Sequence, residues 1–196
     1  MSSENVSSDT PGNADPRRLR ALAHPVRLDL LYLLEREGVL TAGRAAELLG
    51  LTPKVCSYHL NQLGAYGVIE ETGEGKGRSR PWRLAVSEIS YVHEPDEEPA
   101  LARADDAFAK ATLARDARVI ETFVDGRHGL PPTWRNVSTL SSNPLRLTPR
   151  QLRELGDELT RVVDRFRAAS REPAAGAHPV HTALYAVPTD LADLAD

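Results

Sequence analysis

Cysteine is almost missing from this chain. Cys56 is the only one among 196 residues, so an intramolecular disulfide is excluded and a reducing, cytoplasmic setting is expected. A lone thiol also cannot complete a tetrahedral thiolate metal site. Aromatic residues make up only 5% of the chain, which leaves Leu, Val and Ala to fill any core. No stretch approaches the roughly 18 consecutive apolar residues that a membrane-spanning helix needs, and no membrane partner is expected. The opening MSSENVSSDTPGNADP is polar and has no apolar centre. It reads as a disordered tail over residues 1–15 rather than a secretory signal. Lysine is scarce as well, 3 against 21 arginines, a bias attributable to genomic base composition.

Net charge is -4, but its distribution is uneven. Residues 16–90 hold 11 Lys/Arg against 8 Asp/Glu, residues 91–196 hold 13 against 17, and the first 15 residues hold three acids alone. The small positive surplus therefore lies in the first half of the chain. Charge of this size would not by itself point to nucleic acid.

The pattern of the first half is more specific. Apolar spacing begins near Pro16 and breaks at His24-Pro25, where proline starts a second helix that Gly38 ends. Thr41 caps a third helix with Ala45, Leu48 and Leu49 facing inward, and Gly50 supplies a tight turn. Thr52 and Pro53 then open a helix over 53–65. At about 100° per residue, Cys56, His59, Leu60 and Leu63 share one face, while Lys54, Ser57, Tyr58 and Asn61 share the other. The outer face has no acidic residue, as a surface lying on phosphates requires. Strands at 68–71 and 81–86 flank a glycine-rich basic tip, GEGKGRSR. The order of elements is that of a helix-turn-helix with a basic wing, a shape that lies on duplex DNA.

The segments LRALAHPVRLDLLYLL and AAELLGLTPKVCSYHLNQLGAYGVIE, with the basic hairpin before PWRLAV, resemble the ArsR-type winged-helix regulators of bacteria over residues 16–87. The resemblance implies a homodimer on a near-palindromic operator in double-stranded DNA, with the helix at 53–65 in the major groove. Thr52, Lys54, Val55, Ser57 and Tyr58 would approach the DNA, and Asn61 joins them by periodicity. Lys76, Arg78, Ser79 and Arg80 of the wing would touch backbone or minor groove. The family's metal sites do not carry over: Cys56 has no second cysteine beside it, and residues 99–124 hold no histidine. No metal or other cofactor is expected. Cys56 and His59 read as core residues, the histidine packed and hydrogen-bonded.

The acidic, proline-bearing linker at 91–98, with the run HEPDEEP from His93 to Pro99, separates this domain from residues 99–196. A long helix over 99–124 carries a stripe of Leu101, Ala104, Phe108, Ala111, Val119, Ile120 and Phe123, suited to pairing with a second copy. Trp134–Leu140 alternates like a strand, and Thr148-Pro149-x-Gln151 is a capping box for a further helix. Val180–Val187 reads as another strand. The expected fold is mainly α with a small β component: a winged domain at 16–90 and a helical dimerisation or accessory region in which 136–140 pairs antiparallel with 180–187. Trp134, Phe166 and Tyr185 could line a pocket, leaving a small-molecule effector open. No catalytic constellation has usable spacing, and no enzyme is expected. These features together read as a sequence-specific, homodimeric transcriptional repressor, with a winged-helix protein-interaction module that does not bind DNA as the alternative.

Overall fold

The computed structural model describes residues 16–75, 80–85, 99–170, 172–190 and 192. Its elements run α1 (Pro16–Leu22), α2 (Pro25–Glu37), β1 (Val39–Thr41), α3 (Ala42–Leu49), α4 (Pro53–Ala65), β2 (Ile69–Glu71), β3 (Pro81–Leu84), α5 (Pro99–Gly126), α6 (Pro132–Arg135) and α7 (Pro149–Ala169), with a 3₁₀ turn at Arg127–Gly129. The fold is mostly helical with one small three-stranded antiparallel sheet, as expected. The expected tail 1–15 and linker 91–98 lie outside the described residues.

The chain divides into two units, the first ending at Thr122 and the second starting at Phe123. The first unit thus includes α5 as far as Thr122, a helix that sequence pattern had grouped with the C-terminal region. Arg115 of α5 is 3.3 Å from Asp29 of α2, and its guanidinium lies 3.4 Å above the Tyr32 ring. Phe108 of α5 packs against the core of the unit.

That core is aliphatic, as the shortage of aromatics demands. Leu30, Leu34, Leu40, Ala45, Leu60 and Leu63 are all essentially inaccessible to water. Each helix brings one apolar face to it because its start and stop are locally encoded. Thr41 accepts a hydrogen bond from Arg44 N, and Thr52 accepts one from Val55 N at 3.3 Å. Between α3 and α4 the chain turns at Gly50, whose φ of 65° and ψ of 28° lie in the left-handed region.

The sheet order is β1-β3-β2, with Leu40 opposite Trp82 and Glu70 opposite Arg83. Strand β1 is absent from the sequence reading, which found only the hairpin of β2 and β3. It is three residues long, too short for alternation to register, and it exists through its pairing with β3.

The accessory sheet expected from 136–140 and 180–187 is not formed. Pro132 starts the helical turn α6, and Ser138 then donates from both N and Oγ to the Trp134 carbonyl, at 3.2 and 2.8 Å. Those bonds hold 134–138 as a turn, not a strand. Residues 180–187 carry no ladder, and Val180, Leu184 and Val187 are exposed. The capping box of α7 is present: Thr148 Oγ1 accepts from Gln151 N at 3.3 Å, and Gln151 Oε1 accepts from Thr148 N at 3.0 Å.

Candidate nucleic-acid interface

Helix α4 has two chemically distinct faces, and the structure separates them as the periodicity requires. Cys56, His59, Leu60 and Leu63 are buried, whereas Lys54, Val55, Tyr58 and Asn61 are exposed and Ser57 is half-buried. Tyr58 leaves 60% of its surface to solvent. Thr52 sits at the N-cap, its side chain committed to Val55 N. The five outward residues after it therefore form one continuous strip.

One member of the strip is restrained in a way its spacing does not reveal. The Asn61 amide donates to the Ser57 carbonyl at 2.7 Å and lies 3.4 Å from the Ser57 hydroxyl. A side-chain bond to the carbonyl one turn back competes with any other partner. To pair with an adenine edge, Asn61 must give up that contact or use its remaining capacity.

The buried face is seated on α2. His59 is only 8% exposed, and its ring stands 4.5 Å from that of His24, the residue before α2. Tyr58 meets His59 edge-on at 5.0 Å. The expected hydrogen bonding of His59 is not seen at Nδ1: this atom and His24 Nδ1 are both buried without a hydrogen-bond partner. Burial pushes both imidazoles below the usual histidine range, and Arg27 adds repulsion. The Cys56 thiol is pushed upward by burial, which keeps it in the unreactive protonated form.

A close approach locks α4 to the sheet. A Cβ built on Gly64 would lie 2.6 Å from the six-membered ring of Trp82 in β3. Only glycine leaves room for the indole this close to the helix. The pairing joins residues 18 apart through the wing, so nothing local in the sequence announces it.

Of the wing residues, Lys76, Arg78 and Ser79 lie outside the described residues. Arg80 is described, and its guanidinium is 3.1 Å from Glu71. Arg83 meets Glu70 at 2.7 Å. Both pairs are exposed, so water and salt weaken them, yet each places an acid beside a base on the hairpin.

Among the described residues no group of three or more His, Cys, Asp or Glu is placed to hold a metal ion. No described helix is long and apolar enough to cross a membrane. Trp134 meets His178 edge-on at 5.2 Å, while Phe166 and Tyr185 are both more than half exposed. A shallow hollow of about 370 Å³ in the second unit is instead lined by Phe123, Arg127, His128, Arg135, Ser138 and Leu140.

Residues 22–72 match the family model of the helix-turn-helix domain, a span that contains α2, α3, α4 and β2. The match covers the turn at Gly50 and the whole two-faced helix. No curated protein matches the chain.

Proposed function

We propose that the protein is a homodimeric, sequence-specific DNA-binding transcriptional repressor of the ArsR type that does not sense metals. The observation that carries this reading is α4: an acid-free outer strip of Lys54, Val55, Ser57, Tyr58 and Asn61 on a helix whose inner face is fixed against α2 and β3. Such a helix can enter a major groove without repelling phosphates and without losing its own packing. Lys54 would take a phosphate or guanine, Val55 a thymine methyl, and Tyr58 and Asn61 base edges. Thr52 and the wing residues Lys76, Arg78, Ser79 and Arg80 would set position on the backbone.

The homodimer is supported by Leu113, Ile120 and Val124, which α5 leaves exposed. Repression follows from steric occupation of promoter DNA. A small-molecule effector would find room in the hollow beside Arg127, His128 and Arg135.

The test is selection of bound sequences from a random duplex pool, followed by affinity against salt. A two-fold symmetric motif with half-sites about one helical turn apart is expected. Lys54→Ala should reduce the salt slope by about 1, while Tyr58→Ala and Asn61→Ala should relax base preference. If those last two variants discriminate sequences as the parent does, α4 is not the reading helix.

A second reading has one observation in its favour. Glu70 and Glu71 cancel Arg83 and Arg80 on the hairpin, which suits a winged module that binds protein instead of DNA. No enriched motif and no salt-dependent affinity in the same selection would promote it.

A further inference from the structure

Helix α7 presents a long apolar seam. Leu152, Leu155, Leu159, Val162 and Phe166 recur at alternating steps of three and four, and Ala169 continues the series. That spacing is the a/d seam of a heptad, which faces another helix rather than a broad core. No residue of α7 is fully buried, although Leu152, Leu155 and Leu159 are half-buried. Val162 remains 47% exposed and Phe166 62% exposed.

The flanks of the seam carry the second observation. Glu158 and Arg165 each immediately precede a seam residue, seven positions apart, with opposite charge and both exposed. On the other flank stand Gly156 and Val163, which are uncharged. In a parallel pair, each flank meets the opposite flank of its neighbour, so Glu158 and Arg165 would find no charged partner. In an antiparallel pair, like flanks meet. Glu158 then faces Arg165 of the other helix, and two-fold symmetry makes the contact twice.

We propose that α7 packs antiparallel on α7 of a second copy, with Leu159 facing Val162 and Leu155 facing Phe166 across the two-fold axis. This register sets a larger side chain against a smaller one at the centre and leaves every layer apolar, since Leu152 meets Ala169. It also opposes the two helix dipoles. The occupant is a second copy because the pattern complements itself in shape and charge under one rotation. An unrelated helix has no reason to match both.

Helix α7 is 21 residues long, about 30 Å, and the seam occupies all but its first turn. That is shorter than the three to four heptads that sustain a free-standing coiled coil. The pairing therefore rests on the homodimer proposed above, in which the second α7 is already held at high effective concentration.

Full-length protein carrying Cys56→Ala tests this with Leu155→Cys and Phe166→Cys made separately. Under mild oxidation each variant alone should stay uncrosslinked, and co-expressed chains should yield a covalent dimer between the two. Self-crosslinking of either variant would overturn the antiparallel pairing. A dimer by sedimentation that crosslinks in no combination would overturn the α7 contact and leave the dimeric regulator standing. A monomer would overturn both. Independently, Glu158→Arg or Arg165→Glu should lower the mixed crosslink yield several-fold, and the double exchange should restore it. Failure of the double exchange to restore the yield would overturn the register.

Discussion

Helices α4 and α7 begin in the same way and end in different circumstances. Each opens on threonine followed by proline, Thr52-Pro53 and Thr148-Pro149, and in each the threonine hydroxyl accepts the N–H three residues on. Yet α4 buries Cys56, His59, Leu60 and Leu63, and α7 buries no residue fully. Capping and periodicity decide that a helix forms and which face is apolar. What that face meets depends on the rest of the chain, or on another chain. The inner face of α4 is filled, whereas the apolar face of α7 is at most half-buried, at Leu152, Leu155 and Leu159.

The sharpest way to break this contrast is to remove the same kind of side chain from both. Leu60 is completely buried, so Leu60→Ala should cost about 2–5 kcal/mol in urea unfolding. Val162→Ala, measured at a dilution that separates copies, should stay within about 0.5 kcal/mol. A large loss from Val162→Ala in dilute protein would mean that α7 has a core of its own after all. A loss that grows with protein concentration would instead place its packing between chains.

The next effect tests how α4 is held. Gly64→Ala gains about 1 kcal/mol of helix propensity but drives a methyl to 2.6 Å from the Trp82 ring. Overpacking of this kind costs about 1–3 kcal/mol, and the ring is backed by the sheet. A net loss of stability is expected, with changed tryptophan fluorescence. Unaltered stability would show that the indole can slide away, and that the contact does not fix α4 to the wing.

How much of this was legible beforehand follows the same division. The boundaries of α1 to α4, the hairpin strands and the capping box of α7 are written in local signals: prolines, threonine caps, glycines and apolar spacing. The inner and outer faces of α4 follow from its period alone. Strand β1 was not legible, because three residues become a strand only beside β3. The sheet expected at 136–140 and 180–187 failed for the converse reason: alternation was present, but Pro132 and Ser138 favour a turn and no ladder forms. The Gly64–Trp82 contact, the Asn61 bond to Ser57 and the ring pair of His24 and His59 depend on where distant side chains arrive, which spacing does not encode.

A smaller effect compares the two caps directly. Thr52→Ala and Thr148→Ala should each weaken their helix by about 1 kcal/mol. For Thr52 the loss should appear in global unfolding, because α4 is part of the main core. For Thr148 it should appear as faster amide exchange in the first turn of α7, with the unfolding midpoint of the first unit unmoved. Equal shifts in that midpoint would show that the two units unfold as one.

The smallest effect is the most local, and it concerns the seat of α4. His24 and His59 stack at 4.5 Å with both Nδ1 atoms buried and unpartnered, and Arg27 stands near both. Their folded-state affinity for protons is lowered by burial first, and by neighbouring positive charge second. The unfolded chain therefore binds protons more readily than the folded one, and stability must rise with pH across the interval between the two values. Above the ordinary histidine value of about 6.5 both rings are neutral in either state and contribute no slope. As pH falls below it, the unfolded state is progressively favoured, until the lowered folded-state values are passed and the loss levels off. Unfolding of the first unit should thus become easier between neutral and mildly acidic pH, and His59→Gln should flatten that dependence by removing the more deeply buried ring. An unchanged slope in the variant would mean that the pair does not couple α4 to acid.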